Sequence, residues 1–244
     1  MTIISKRIQE CYALENCTFT PVSGHEGGRN RIVTVSRNGD NQYVLRISVP
    51  GDRSENDYLA ETEFVRFLAE NGAPVAAVIP SVHGNLVEHM VIDGKGIYVS
   101  LFAYAKGMLI ADNGYRYREG APLSEYFYNT GKALGAIHRL SRAYVPVHPR
   151  PDHFDKYNMT YLYRPIPEEY GKLKTSVAKH LEIFSALPQD KSCYGLVHFD
   201  LIGNIVDELE CCGREGEGPD WEDIEDAAEC LIHGITYAGI AQGA

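Results

Sequence analysis

The sequence predicts an α+β chain of two lobes, and three observations predict it. The first hundred residues break into strand-like runs joined by Asn-Gly and Asp-Gly turns. One amphipathic helical stretch interrupts them. After Tyr104 the apolar pattern changes to a helical period. Strands first and helices afterwards give segregated layers rather than alternating βαβ units.

The first hairpin is NRIVTVSR and QYVLRISV, joined through Asn38-Gly39, a dipeptide that accepts the positive φ angles of a tight hairpin turn. The second is LVEHMVI and GIYVSLFAY, joined through Asp93-Gly94-Lys95-Gly96. Between them, SENDYLAETEFVRFLAENG reads as a helix that starts at a Ser54/Asp57 capping box and ends at Gly72. Farther on, APLSEYFYNTGKALGAIHRLSRAY places Tyr126, Leu134, Ile137 and Leu140 on one helical face. A proline-broken connection covers 146–151, residues 167–186 suggest another helix, and the short strand GLVHF delivers Asp200 to a loop.

The chain of 244 residues can bury a sizeable core. Its formal charge of -10 is unevenly placed. Residues 205–244 hold eleven acids against the single base Arg214, leaving 22 acids and 22 bases before them. A neutral body with an acidic tail has no dominant basic patch, which argues against nucleic acid as a partner. No apolar run approaches the length of a membrane span, and the N-terminal MTIISKRIQECYAL has no continuous h-region, so a cytoplasmic protein is expected. The six cysteines show no C-x-x-C pair; Cys211, Cys212, Cys230 and His233 do not follow zinc spacing, and free thiols are the expectation.

Four stretches carry chemistry. In YVLRIS, strand alternation puts Val44, Arg46 and Ser48 on one face and Tyr43, Leu45 and Ile47 on the other, so a cation projects among small or apolar neighbours. Glu61 shares a helix face with Phe64, Val65 and Leu68, and a carboxylate on a buried stripe needs a partner. Arg46 is therefore expected to pair with Glu61, whereas Glu63 is expected to face solvent. In SGHEGGRNR, Gly24, Gly27 and Gly28 would let backbone N–H groups approach an anion. Finally, His198-Phe199-Asp200 ends an apolar strand with an Asp held by a neighbouring His, a suitable acceptor for a hydroxyl proton.

Together with ETEFVRFLAENGAPVAAVIPSVHG, the hinge-like YVSLFAYAKG, GKALGAIHRLSRAYVP and RPDHFDKY, these stretches resemble the aminoglycoside phosphotransferase and choline kinase family. The similarity is narrower still to its homoserine-kinase-like and bacterial stress-response Ser/Thr kinase branch, over roughly residues 20–204. The resemblance implies a protein-kinase-like two-lobed fold with an incomplete C-terminal lobe. Residues 1–104 would form the nucleotide-binding lobe, 105–204 a partial helical lobe with the catalytic loop, and 205–244 an atypical acidic tail. It also implies ATP and Mg2+ as cofactors, with adenine against the hinge around Phe102 and Tyr104. Arg46 would meet the phosphates with Glu61 as its helix partner, Asp200 would be the catalytic base and Asn204 a Mg2+ ligand. The partner implied is a hydroxyl acceptor, either a small molecule or a protein Ser/Thr.

The catalytic loop departs from that pattern. Only Leu201, Ile202 and Gly203 separate Asp200 from Asn204, where kinase-type loops have four residues. No Asp-Phe-Asp-like strand follows, and the charge balance changes at the same place, as a truncation or frameshift would produce. Against that origin, Ile224, Ala227, Ala228, Leu231, Ile235 and Ala238 fall at helical spacing, as a specialised tail would. The expectation is a phosphotransferase of impaired activity, the alternative a noncatalytic nucleotide-binding or protein-interaction remnant.

Overall fold

The computed structural model describes residues 4–22, 30–51, 53–107, 116, 118–150, 166–186, 188, 190 and 196. A mixed α+β architecture is present, as expected. Its centre is a six-stranded antiparallel sheet built from β1 (Thr18–Pro21), β2 (Asn30–Arg37), β3 (Asp40–Ser48), β4 (Val78–Ile79), β5 (Glu88–Ile92) and β6 (Lys95–Ala103). The strand order is β1-β2-β3-β6-β4, and β5 pairs with the first half of the same β6 edge that β4 meets further on.

Both hairpin turns have the geometry their sequences demand. Asn38 and Gly39 take φ of 54° and 88°, and Asp93 and Gly94 take 50° and 75°. Consecutive left-handed residues match the twist of the flanking strands. The second turn is shorter than expected, because Lys95 and Gly96 already belong to β6 and pair with Ile92 and Val91.

Strand parity divides the sheet into two faces. Phe19, Val33, Val35, Leu45, Met90, Ile97, Val99 and Leu101 pack against Ile4, Ile8, Tyr12 and Leu14, which come from α1 (Lys6–Cys11) and its flanks. The sequence reading did not foresee α1: six residues are too few for a 3.6-residue period to stand out.

The other face carries Tyr98 and Phe102, which pack with Val78, Leu86, Val87 and Tyr58, Leu59 and Val65 of α2 (Glu55–Glu70). That helix begins and ends at the expected signals. The Ser54 side chain accepts from Asp57 N–H while the Asp57 carboxylate accepts from Ser54 N–H, a reciprocal box satisfying two otherwise orphaned donors. At the far end Gly72, at φ 80°, lets its own N–H reach Ala69 O and that of Ala73 reach Leu68 O, the paired closure that stops a helix.

Among the described residues two further helices follow, α3 (Leu123–Ala143) and α4 (Gly171–Ser185). Leu140 and Ile137 of α3 pack with Phe64, Phe67 and Leu68 of α2, and Tyr144 places its ring 5.0 Å from both phenylalanines. Leu140 is buried as expected, but at the start of α3 the buried aromatic differs from the expected one: Phe127 is fully buried and Tyr126 only half-buried, within a run of three aromatics, Tyr126 to Tyr128, that left the choice open. The segment GLVHF and the tail from residue 205 lie outside the described residues.

Candidate active site

β3 and α2 bring the expected cation and carboxylate together. Arg46 stands opposite Ile32 and Ser100 on the face that α2 covers. The capping box fixes where α2 begins, and so fixes the turn on which Glu61 faces the sheet. Arg46 Nη1 donates to Glu61 Oε1 at 2.5 Å, with the two side chains 14% and 24% exposed. The pairing expected from strand parity and helix face is present.

Three features of the pair were not foreseen. Arg53 Nη1 approaches the second Glu61 oxygen at 3.6 Å, so the carboxylate lies between two guanidinium groups. The Arg46 guanidinium carbon lies 5.1 Å from the centre of the Phe102 ring, a cation–π contact. Most informative, Arg46 Nε and Nη2 are buried and have no hydrogen-bond partner among the described residues. A buried guanidinium donor without an acceptor is costly, and native structures rarely retain one unless something else completes it.

Glu63 corrects the expectation that it faces solvent. It lies on the opposite side of α2, since positions two apart on a helix do not share a face. There its carboxylate accepts from His148 N–H at 3.3 Å and sits 2.7 Å from His148 Nδ1. Asn56 Nδ2 adds a bond to Pro149 O at 2.9 Å. Both anchor the chain after α3 to α2, contacts across 85 and 93 residues with no local sequence signal.

At the end of β6, Phe102 and Tyr104 are half-buried. The N–H of Ala103 is bonded to Ala77 O and that of Tyr104 to Gln42 O. Those two donors are therefore not free for a ligand. A cleft of 720 Å³ runs along the outer face of α2, between Leu59 and Phe67 on one side and Leu86 and Val87 on the other, and none of the expected site residues lines it. Gly24, Gly27, Gly28, His198, Asp200 and Asn204 lie outside the described residues, as do Cys211, Cys212, Cys230 and His233.

A strand cation paired with a helix glutamate is an arrangement that phosphoryl-transfer folds build with a lysine; here the cation is Arg46, with two buried donors unpartnered among the described residues. The sequence profile of the phosphotransferase enzyme family matches residues 18–205. The chain belongs to that family. It is 32% identical over 165 residues to amicoumacin kinase of Bacillus subtilis (strain 168), covering 66% of this chain and 47% of the relative. The chain thus spans about half the length of the curated relative it matches. Among solved structures, an amicoumacin kinase in complex with AMP-PNP, Ca2+ and Ami superposes with a TM-score of 0.73 at 18% identity, covering 96% of this chain and 76% of that one. A microcompartment-associated aminopropanol kinase superposes with a TM-score of 0.61 at 12% identity, covering 95% and 92%. Both likenesses bear on the fold alone. Among the described residues no helix is long and apolar enough to cross a membrane.

Proposed function

We propose that this chain binds ATP in its N-terminal lobe and transfers the γ-phosphoryl group to a hydroxyl of a small molecule. The observation that carries the reading is Arg46: one nitrogen is held by Glu61, and Nε and Nη2 are buried with no partner among the described residues. Two fixed, unpaired donors of a planar cation fit phosphate oxygens, and charge-assisted bonds there are about twice as strong as neutral ones. Glu61 and the Phe102 ring orient the group before the nucleotide arrives, so little ordering remains to oppose binding. Backbone N–H groups at Gly27 and Gly28 would cover the phosphates. The adenine would lie against Phe102 and Tyr104, using carbonyls or later donors there, because the N–H groups of Ala103 and Tyr104 are already bonded.

Asp200, steadied by His198, would accept the proton of the attacking hydroxyl, and Asn204 would hold Mg2+. When bound, that ion would neutralise charge developing on the phosphoryl oxygens. The choice of acceptor is guided by the names of the relatives, one of which is called an aminopropanol kinase. A hydroxyl-bearing amine is therefore the first acceptor to test, ahead of a protein Ser/Thr.

The three-residue interval between Asp200 and Asn204 favours a second reading, a nucleotide-binding chain without turnover. Deleting one residue removes about 3.5 Å of chain, and misplacing a catalytic group by ~1 Å can cost on the order of a hundredfold. Expected transfer is at least about a hundredfold below the roughly 1–100 s⁻¹ of ordinary kinases. The test is a γ-phosphate transfer assay against aminopropanol, choline, homoserine, an aminoglycoside and a generic protein substrate, using the unaltered chain and Asp200→Asn. Slow transfer abolished by Asp200→Asn supports the first reading, and nucleotide binding without transfer supports the second. An ordinary rate that Asp200→Asn removes would show the short loop to be a working variant.

A further inference from the structure

On the face of the sheet away from Arg46, α1 meets the turn that precedes β5. Val82 N–H donates to Cys11 O at 2.8 Å, tying the turn to the end of the helix. Ser81 organises the turn from inside: it is buried, and its hydroxyl oxygen accepts from the N–H of His83 at 3.1 Å and of Asn85 at 3.2 Å. Its own N–H donates to Asn85 O at 2.8 Å, and Gly84 takes the φ of 84° that closes the turn. Glu88 lies on the same side of β5 as Met90 and Ile92, which pack in the α1 core.

The outcome is a cluster of three different donors. Cys11 Sγ, a ring nitrogen of His83 and a carboxylate oxygen of Glu88 all lie within 4.8 Å of one another. Asn85 Nδ2 donates to Glu88 Oε1 at 3.1 Å, the type of outer contact that orients a ligating carboxylate. We propose that Cys11, His83 and Glu88 form a zinc site, with a fourth position left to water.

The donor set selects the ion. Mg2+ and Ca2+ take oxygen ligands, whereas a thiolate with an imidazole and a carboxylate suits Zn2+. Zinc–ligand lengths of about 2.0–2.3 Å put tetrahedral ligands about 3.5 Å apart, so the cluster must close by roughly 1 Å. His83 is exposed and can supply that movement by rotation, while the backbone on either side is already fixed. On binding, the Cys11 proton leaves to solvent, and thiolate and carboxylate together balance the dication. The site would staple α1 to the β5 edge of the sheet, on the opposite face from the Arg46–Glu61 pair and separate from any ion that accompanies a nucleotide.

Cobalt(II) reports such a site directly. The metal-free chain of 244 residues, kept reduced, is titrated with Co2+, and thiolate-to-cobalt charge transfer is followed together with the intense visible bands of tetrahedral Co2+. One equivalent should produce both signals, and Zn2+ should bleach them. Cys11→Ser should remove the charge-transfer band, and His83→Ala, at an exposed position that leaves folding intact, should weaken Co2+ binding at least tenfold. The Cys211→Ser, Cys212→Ser double variant should keep the band. Zinc should raise Tm in the unaltered chain and in that double variant, but not in Cys11→Ser or His83→Ala. The proposal is overturned by the absence of a band with excess metal, by a band that survives Cys11→Ser or full affinity in His83→Ala, or by a band that disappears with Cys211 and Cys212.

Discussion

Replacing Glu61 by Gln removes one charge and almost no volume. The acceptor on Arg46 Nη1 becomes neutral: the hydrogen bond keeps the assistance of the guanidinium charge, but the ion-pair attraction to the carboxylate is lost. Both side chains are more than three-quarters buried, so solvent screens little of the difference. Arg53, 3.6 Å from the second oxygen, also loses its counter-charge, and two cations then face each other without an anion between them. The expected cost is about 1–2 kcal/mol, or roughly 2–8 °C in Tm for a chain of this size. Nucleotide affinity should fall about tenfold as the guanidinium loses its fixed orientation, equivalent to ~1.4 kcal/mol. Glu63→Gln is the control: it weakens the His148 contact on the other side of α2 and should change nucleotide affinity less. Differential scanning fluorimetry and calorimetric titration with an ATP analogue measure the two effects. If Glu61→Gln matches the unaltered chain in both, or Glu63→Gln weakens nucleotide binding more, the bracing role assigned to Glu61 is wrong.

Two further outcomes follow from other parts of the fold. Ser54→Ala removes the side-chain acceptor for Asp57 N–H and should cost about 1 kcal/mol, or 2–4 °C in Tm; an unchanged melting curve would mean that the box does not stabilise the start of α2. Burial, with Arg142 adding repulsion, holds the His138 imidazole below its ordinary value. The unfolded chain therefore takes up that proton near pH 6.5 while the folded chain resists it, so the stability contribution is complete above that pH and is lost as pH falls through it, levelling off below the folded value. Tm should fall between pH 7.5 and 5.5, and His138→Leu should flatten that fall; an equal slope in the variant would assign it to another group.

Much of the fold was legible because the signals were local. Asn38-Gly39 and Asp93-Gly94 impose their turns through two residues each, and Ser54 with Asp57 fixes a helix start within four. The Arg46–Glu61 contact was legible for a different reason: two periodicities, 2 for the strand and 3.6 for the helix, each placed a charge on a face that had to be covered. Where contact depends on tertiary approach alone, the sequence is silent. Nothing near Glu63 indicates His148, and nothing near Cys11 indicates His83 and Glu88, because such partners are chosen by how the connecting segments fold back. Arg53 escaped notice because it precedes α2 in an irregular stretch, where neither period applies. The start of α3 is an intermediate case: Tyr126 and Phe127 both fit a helical stripe, and only packing against neighbours selects the phenylalanine.

The central claim is that Arg46 faces nucleotide phosphates, and calorimetric titration of AMP-PNP into the unaltered chain and Arg46→Ala tests it most directly. The account predicts saturable binding by the unaltered chain and at least a tenfold loss in Arg46→Ala, with circular dichroism confirming that the variant is folded. Equal affinity in the two proteins, or no binding by the unaltered chain, would contradict it.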